Sequence, residues 1–289
     1  MRKCPTCNRS YDDAITFCLD DGATLVSDQS GTPTMTMPTG QEFQPPPPPP
    51  FAPTPPPEVE MSTPQTLTGI FFEPGRVFEA LRSRPRFLIA GIILLLLTIG
   101  VTAALFQRVN MSAFIREKME QSPRNANMTP EQKEAGVKFG TIIAAVAFPA
   151  SVPFWIAAGA ALYLLGVMAF GGSISYKQSL AVWVYSSLPP AVLGTIVAVL
   201  VLFLKAADTI DPEHLLVTNP GAFMAPDSSK VLTAFLSQFD LLRFYGLFLA
   251  AIGLRKVAKI SSVSAWGIVI GLFAIRAVLG IASAAIFGG

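Results

Sequence analysis

Phe87–Phe106 reads FLIAGIILLLLTIGVTAALF, twenty residues without a charge. At a rise of about 1.5 Å per residue, a helix of that length covers about 30 Å, the thickness of bilayer hydrocarbon. Four more apolar stretches follow, at residues 139–170, 180–204, 240–257 and 263–287. The fourth is short, and Leu241–Leu254 becomes long enough only if the amphipathic segment Val231–Phe239 leads into it. Of the 289 residues 51% are hydrophobic and 14% charged, where a soluble domain this size needs roughly a quarter charged. The mean hydropathy is +0.50, and the charge deficit lies after Phe87, so the apolar excess is a membrane signal rather than a large core. A net charge of +2 points to no nucleic-acid partner. The expected fold class is an all-α polytopic membrane bundle of about five transmembrane helices over residues 67–289.

The spans carry their own punctuation. Pro149 and Pro153 should kink the second helix, and the third holds the pair Pro189-Pro190. Thr129-Pro130-Glu131-Gln132 is a capping box with proline at the first helical position, so the second helix should start near Pro130, outside the bilayer, and run in as one rod. Asp211-Pro212 reads as a further helix start, with His214 a solvated residue beside it. Gly267 and Gly271 form a G-x-x-x-G that Gly280 and Ala284 continue, a pattern that allows close helix approach and that an Ala/Gly-rich chain also generates by chance.

Ahead of the spans the composition changes twice. All three cysteines lie in residues 1–25, as Cys4-Pro5-Thr6-Cys7 and then Cys18-Leu19-Asp20-Asp21. A C-x-x-C followed at short range by a C-x-x-D is a metal-knuckle pattern, and carboxylate oxygen is an acceptable zinc ligand. The predicted donor set is Cys4, Cys7, Cys18 and Asp21 around one structural zinc ion, with Tyr11, Phe17 and Leu25 as a small core. So short a segment needs the metal's binding free energy to fold. The alternatives are a redox pair, for which the βαβ context is missing, and unliganded cysteines with Asp20-Asp21-Gly22 making an ordinary turn. No apolar run follows Met1-Arg2-Lys3, so the start is not read as a signal peptide.

Residues 26–66 hold Ser, Thr, Pro and Gly and read as a disordered proline-rich linker. Its core, Pro45–Pro57, should sample polyproline II and span roughly 40 Å as a semi-rigid tether; a ligand for an SH3-like domain is the sharper alternative. In residues 67–86, Pro74 suits a first helical turn, and Val77, Phe78 and Leu81 follow at helical spacing among Arg76, Arg82, Arg84 and Arg86. The pattern predicts a short helix on the membrane surface, apolar side in lipid and arginines towards phosphate. Basic residues are denser in the short segments on the side of the N-terminus, which places that terminus in the cytoplasm and the C-terminus outside. Reduced cysteines suit the same side.

Arg276 is a charge inside the fifth span, and Asp240 and Arg243 open the fourth. Such residues face protein or water and mark either an intramembrane polar site or a structural arginine. The sequence has no phosphate-binding loop, dinucleotide fingerprint, H-E-x-x-H or G-x-S-x-G, and no enzyme is expected.

Three stretches resemble the Yip-one family of polytopic membrane proteins. They are LTGIFFEPGRVFEALRSRPRFL (residues 67–88, with Phe71-Phe72, Pro74, Phe78-Glu79 and Arg84-Pro85), SYKQSLAVWVYSSLPP (Ser175–Pro190), and Phe239-Asp240-Leu241 with Leu249–Gly253. The resemblance covers about residues 66–287 and implies a five-helix membrane domain with a cytoplasmic N-terminus. The cysteine segment resembles short zinc ribbons placed ahead of bacterial membrane domains. Eukaryotic members associate with small Rab-type GTPases, a role a bacterial chain does not inherit. The expected function is a membrane scaffold or adaptor of the bacterial inner membrane, whose ribbon or tether recruits a cytoplasmic protein. The alternative is a transporter or channel subunit with a polar path near Arg276. Oligomeric state is not legible.

Overall fold

The computed structural model describes residues 2–27 (except 8, 13 and 21), 60–122, 125–212, 215–216, 218–225 and 228–287. Asp21, His214 and the proline run Pro45–Pro57 lie outside the described residues. The chain divides into two compact units, Met1–Pro55 and Pro56–Gly289.

In the first unit, β1 (Arg2–Lys3) lies between β2 (Ser10–Tyr11) and β3 (Val26–Ser27), antiparallel to both. A bridge between Phe17 and Thr24 closes a second reversal. Gly22 sits there at φ +72, a left-handed conformation open to glycine without a Cβ penalty. Its N–H donates to Cys18 O at 3.0 Å, and Cys18 N–H donates to Ala23 O at 2.8 Å. The core is Cys4, Cys18 and Leu25, with Tyr11, Ile15 and Ala23 packed against it. Phe17, expected inside, is 58% exposed. Extended residues alternate sides, so burying Cys18 turns its neighbour outward.

Among the described residues, the regular structure of the second unit is all helical. Helix α1 (Thr63–Phe72) begins inside the stretch read as linker, and a capping box of Ser62 and Gln65 starts it. Helices α2 (Pro74–Ser83) and α3 (Leu88–Arg108) follow. Helix α4 (Met111–Gln121) lies ahead of α5 (Pro130–Ala169), where Thr129 and Gln132 form the expected capping box. At forty residues α5 is about 60 Å long, twice the hydrocarbon thickness, and it runs without a break through Pro149 and Pro153. Ile115 and Met119 of α4 pack at Gly140 and Gly136, along its first turns. Helix α6 (Tyr176–Leu204) starts with a third capping box, Ser175 and Gln178. Helix α7 (Lys230–Leu236) meets α8 (Leu241–Ala258) at a 44° bend, and α9 (Ser262–Phe287) ends the described chain. The expected lead from Val231–Phe239 into the fourth span is therefore broken, not straight. Asp240 starts a new helix by capping it, and Ser237 ends the old one.

Helices α3, α5, α6 and α9 are each long and apolar enough to cross a membrane, and the bent pair α7–α8 makes a fifth candidate. Only 11% of the most apolar window of α3, and the same share of α9, is buried inside the protein. The rest needs lipid to cover it.

Helix α6 is the central strut, packing on α8, α3, α5, α1 and α2. Tyr185, Val182, Val184 and Leu188 are fully enclosed there. Helix α2 corrects the surface-helix expectation. Its apolar residues Val77, Phe78 and Leu81 are buried against protein, mainly α8, and Lys256 of α8 donates to Glu79 at 2.6 Å. The sequence periodicity marks an apolar stripe but not what covers it. Of the G-x-x-x-G pair, Gly267 is a close approach, where a Cβ would lie 3.1 Å from the Phe170 ring, and Gly271 is not. A Cβ at Gly271 would meet nothing within 4 Å, whereas one at Gly159 would lie 2.3 Å from the Trp183 ring. One at Gly253 would lie 2.8 Å from Val182 and 2.9 Å from Phe78.

Candidate functional site

The turns of the first unit bring the three cysteines together. Cys7 and Cys18 have sulfurs 3.5 Å apart, and all three sulfurs lie within 4.8 Å of one another. Tetrahedral zinc with bonds of about 2.3 Å needs sulfurs roughly 3.8 Å apart, so the spacing fits a thiolate-bound ion. None of the three is in a disulfide, and Cys4 and Cys18 are buried while Cys7 is exposed. Cys7 N–H reaches Cys4 Sγ at 3.5 Å, an amide-to-sulfur contact across the C-x-x-C turn.

A polar shell surrounds the sulfurs. The Tyr11 hydroxyl lies 3.3 Å from Cys18 Sγ and donates to Asp20 Oδ2 at 3.2 Å, and Arg9 pairs with the same carboxylate. Tyr11 and Arg9 thereby hold the Asp20 carboxylate, a contact sequence reasoning missed because it treated Asp20 only as a turn residue. The Arg9 amide favours the Cys7 thiolate. Partial desolvation and the Cys18 and Cys4 sulfurs outweigh it and push the Cys7 thiol up to about 11. The contact with Cys18, desolvation and the Asp20 carboxylate hold the Tyr11 phenol above its usual range. Cys7 is thus a thiol at neutral pH until a cation lowers its pKa, and metal binding would release that proton.

The second set of candidate residues meets around the α7–α8 break. Asp240 caps α8 by accepting from Arg243 N–H at 2.9 Å, and it also accepts from the Thr218 hydroxyl. Leu241 N–H donates to Thr218 O at 3.1 Å, which fixes the loop before the helix. Arg243 Nη1 donates to Gln238 Oε1 at 2.7 Å. Arg276 faces Arg243 closely enough for the two charges to repel. Thr218 and Gln238 were missed, because loop residues carry no periodic signal.

Between α3 and α5 lies an open groove of about 490 Å³, lined by Leu95, Ile99, Phe106, Val146, Pro149 and Pro153 among others. Proline at 149 and 153 removes the donors that Ala145 and Pro149 carbonyls would use in a regular helix. Apart from Thr102, the side chains lining this groove are apolar.

Fold and site together define an integral membrane protein: a polytopic α-helical bundle with a cysteine cluster ahead of it. Residues 68–284 match the Yip1 domain, and the chain belongs to that family. Membrane protein YknW of Bacillus subtilis (strain 168) is 28% identical over 225 residues, which cover 75% of this chain and 89% of that protein. No solved structure matches. The family match runs from within α1 to within α9 and leaves the cysteine segment outside it.

Proposed function

We propose that this chain is a non-catalytic membrane scaffold whose N-terminal residues 1–25 form a zinc ribbon that recruits a cytoplasmic protein. The convergence of three sulfurs in a segment with almost no apolar core carries this reading. Cys4, Cys7 and Cys18 would hold one structural zinc ion, with Asp21 as fourth ligand. Asp20 supports that choice, since Tyr11 and Arg9 already occupy it. Residues 26–66 would act as tether and residues 67–289 as the membrane domain, in the bacterial inner membrane with the N-terminus cytoplasmic and the C-terminus outside. Reporter fusions at both termini test the orientation, and an external N-terminus sinks it.

The recruitment test is affinity purification of the full-length protein from membranes beside a Cys4→Ser/Cys7→Ser variant. A protein that co-purifies with the wild type, is lost in the variant and is lost on chelation supports the scaffold. An identical set of co-purified proteins from both removes the ribbon from the account. The second reading, a transporter or channel subunit, draws on the Arg243–Arg276 pair. The α3–α5 groove weighs against it, being lined almost wholly by apolar side chains that offer an ion or polar solute nothing to replace its water.

A further inference from the structure

Arg243 and Arg276 lie at the same level of two adjacent helices. Arg243 is 258 − 243 = 15 residues from the end of α8, and Arg276 is 276 − 262 = 14 residues from the start of α9. Both are therefore about 22 Å along their helices from the short turn that joins them. Packing confirms the register. The rings of Phe244 and Phe273 are 5.8 Å apart. One turn beyond Arg276, a Cβ at Gly280 would lie 3.3 Å from the Gln238 amide nitrogen, while the oxygen of that amide accepts from Arg243.

The electrostatics of this corner leave an excess of positive charge. The two guanidinium groups are close enough to repel, and the Asp240 carboxylate, which caps α8 and accepts from Thr218, attracts Arg243 and offsets one of the two charges. Arg276 makes no hydrogen bond or ion pair among the described residues. It is exposed on the bundle perimeter, and its neighbours Ile275, Val278 and Leu279 are 60%, 64% and 65% exposed. That surface faces lipid, so the unpaired charge opens towards lipid and not into an aqueous path. The same level holds the non-helical backbone between α7 and α8, and irregular backbone in a membrane protein sits where protein, water or headgroups satisfy it.

We propose that Arg243 and Arg276 bind the phosphate of an anionic phospholipid, in the leaflet nearer the α7–α8 break. Guanidinium forks match phosphate oxygens in pairs, and the phosphate would relieve the repulsion between the two cations. The Gln238 carbonyl oxygens orient Arg243 and leave its other N–H groups for the ligand. The site goes beyond the scaffold reading and does not depend on the ribbon.

The test places the full-length protein in neutral-lipid nanodiscs doped with photoreactive phosphatidylglycerol or photoreactive phosphatidylcholine, with crosslinked peptides mapped by mass spectrometry. Labelling of residues 272–280 by the anionic lipid should exceed that by the neutral one roughly fivefold or more, given about a fivefold gain per arginine near a headgroup. The excess should vanish in Arg243→Gln/Arg276→Gln, persist in Arg276→Lys, and be unchanged in Arg82→Gln/Arg84→Gln, which alters a different basic segment. Should the double variant lose its helicity, Arg276→Gln alone decides, because that side chain is exposed. Equal labelling by the two lipids in the wild type overturns the proposal, as does an excess that survives both substitutions. Loss of the excess in millimolar inorganic phosphate would assign the pair to a free aqueous anion and overturn it as well.

Discussion

Residues 2–27 build a core from Cys4, Cys18 and Leu25, whereas the helical unit joins α1, α2, α3, α5, α6, α8 and α9 in one buried cluster. Burying an apolar side chain is worth about 1.5–3 kcal/mol, while ordering each backbone residue costs about 1–2 kcal/mol. Three side chains cannot offset some two dozen ordered residues, so the small unit depends on something other than apolar burial. The helical unit has the opposite imbalance. Its outer helices expose Ile92, Leu96, Phe148, Phe154, Val278 and Leu279, a surface stable only in lipid. With the proposed ion, one unit would lean on a metal and the other on the bilayer, and each should then fail under different conditions.

The largest effect separates them outright. A chelator, or Cys4→Ser, should abolish protection from hydrogen exchange across residues 2–27 and leave α3–α9 unchanged, because structural zinc binding is worth about 10–16 kcal/mol to small peptides. Persistent protection without metal would show that the small unit folds on its own contacts. Next comes the helix seam at Gly159, where an added Cβ meets the Trp183 ring at 2.3 Å. Gly159→Leu should destabilise the α5–α6 contact by about 1–3 kcal/mol, read as a lower unfolding temperature in detergent, with exchange in residues 2–27 unaffected. Gly271→Leu, at a position with open space, should not lower it.

A smaller loss is expected from Tyr185→Phe. The Tyr185 hydroxyl and Thr66 Oγ1 meet at 3.0 Å in a buried site, joining α1 to α6. Removing one hydroxyl should cost about 0.5–1.5 kcal/mol and raise exchange in α1 before any other helix. The least effect belongs to Glu79→Gln. The Glu79–Lys256 pair is short, but both side chains are more than a third exposed, so screening leaves well under about 1 kcal/mol. A larger drop in unfolding temperature than for Tyr185→Phe would mean that this pair is shielded by lipid.

Much of the bundle was legible because membrane spans are read from one property, a long uncharged run. Phe87–Phe106 needs no partner to be recognised. The start of α5 was equally legible, since Thr129, Pro130 and Gln132 act within a single turn. Helix α1 carries the same local signal at Ser62 and Gln65, yet its Thr/Pro-rich surroundings read as linker. Stripes were visible and their coverings were not: Val77, Phe78 and Leu81 marked a face on α2, and only packing assigned it to α8 instead of lipid. Likewise the G-x-x-x-G marked one close approach, Gly267 against Phe170, and one open position, Gly271, and missed the tighter contacts at Gly159 and Gly253. Close approach depends on which large side chain arrives opposite, here Trp183 at Gly159 and Phe78 at Gly253.

The sequence by itself determined that this chain lies in a membrane, that its cysteines are clustered, and where most helices begin. Each of those follows from neighbours along the chain. Tertiary structure alone decided that three sulfurs share one site with Tyr11 and Asp20 behind them, and that Arg243 stands beside Arg276 at one depth. Both are juxtapositions of residues separated in sequence, set by how turns close and how helices register.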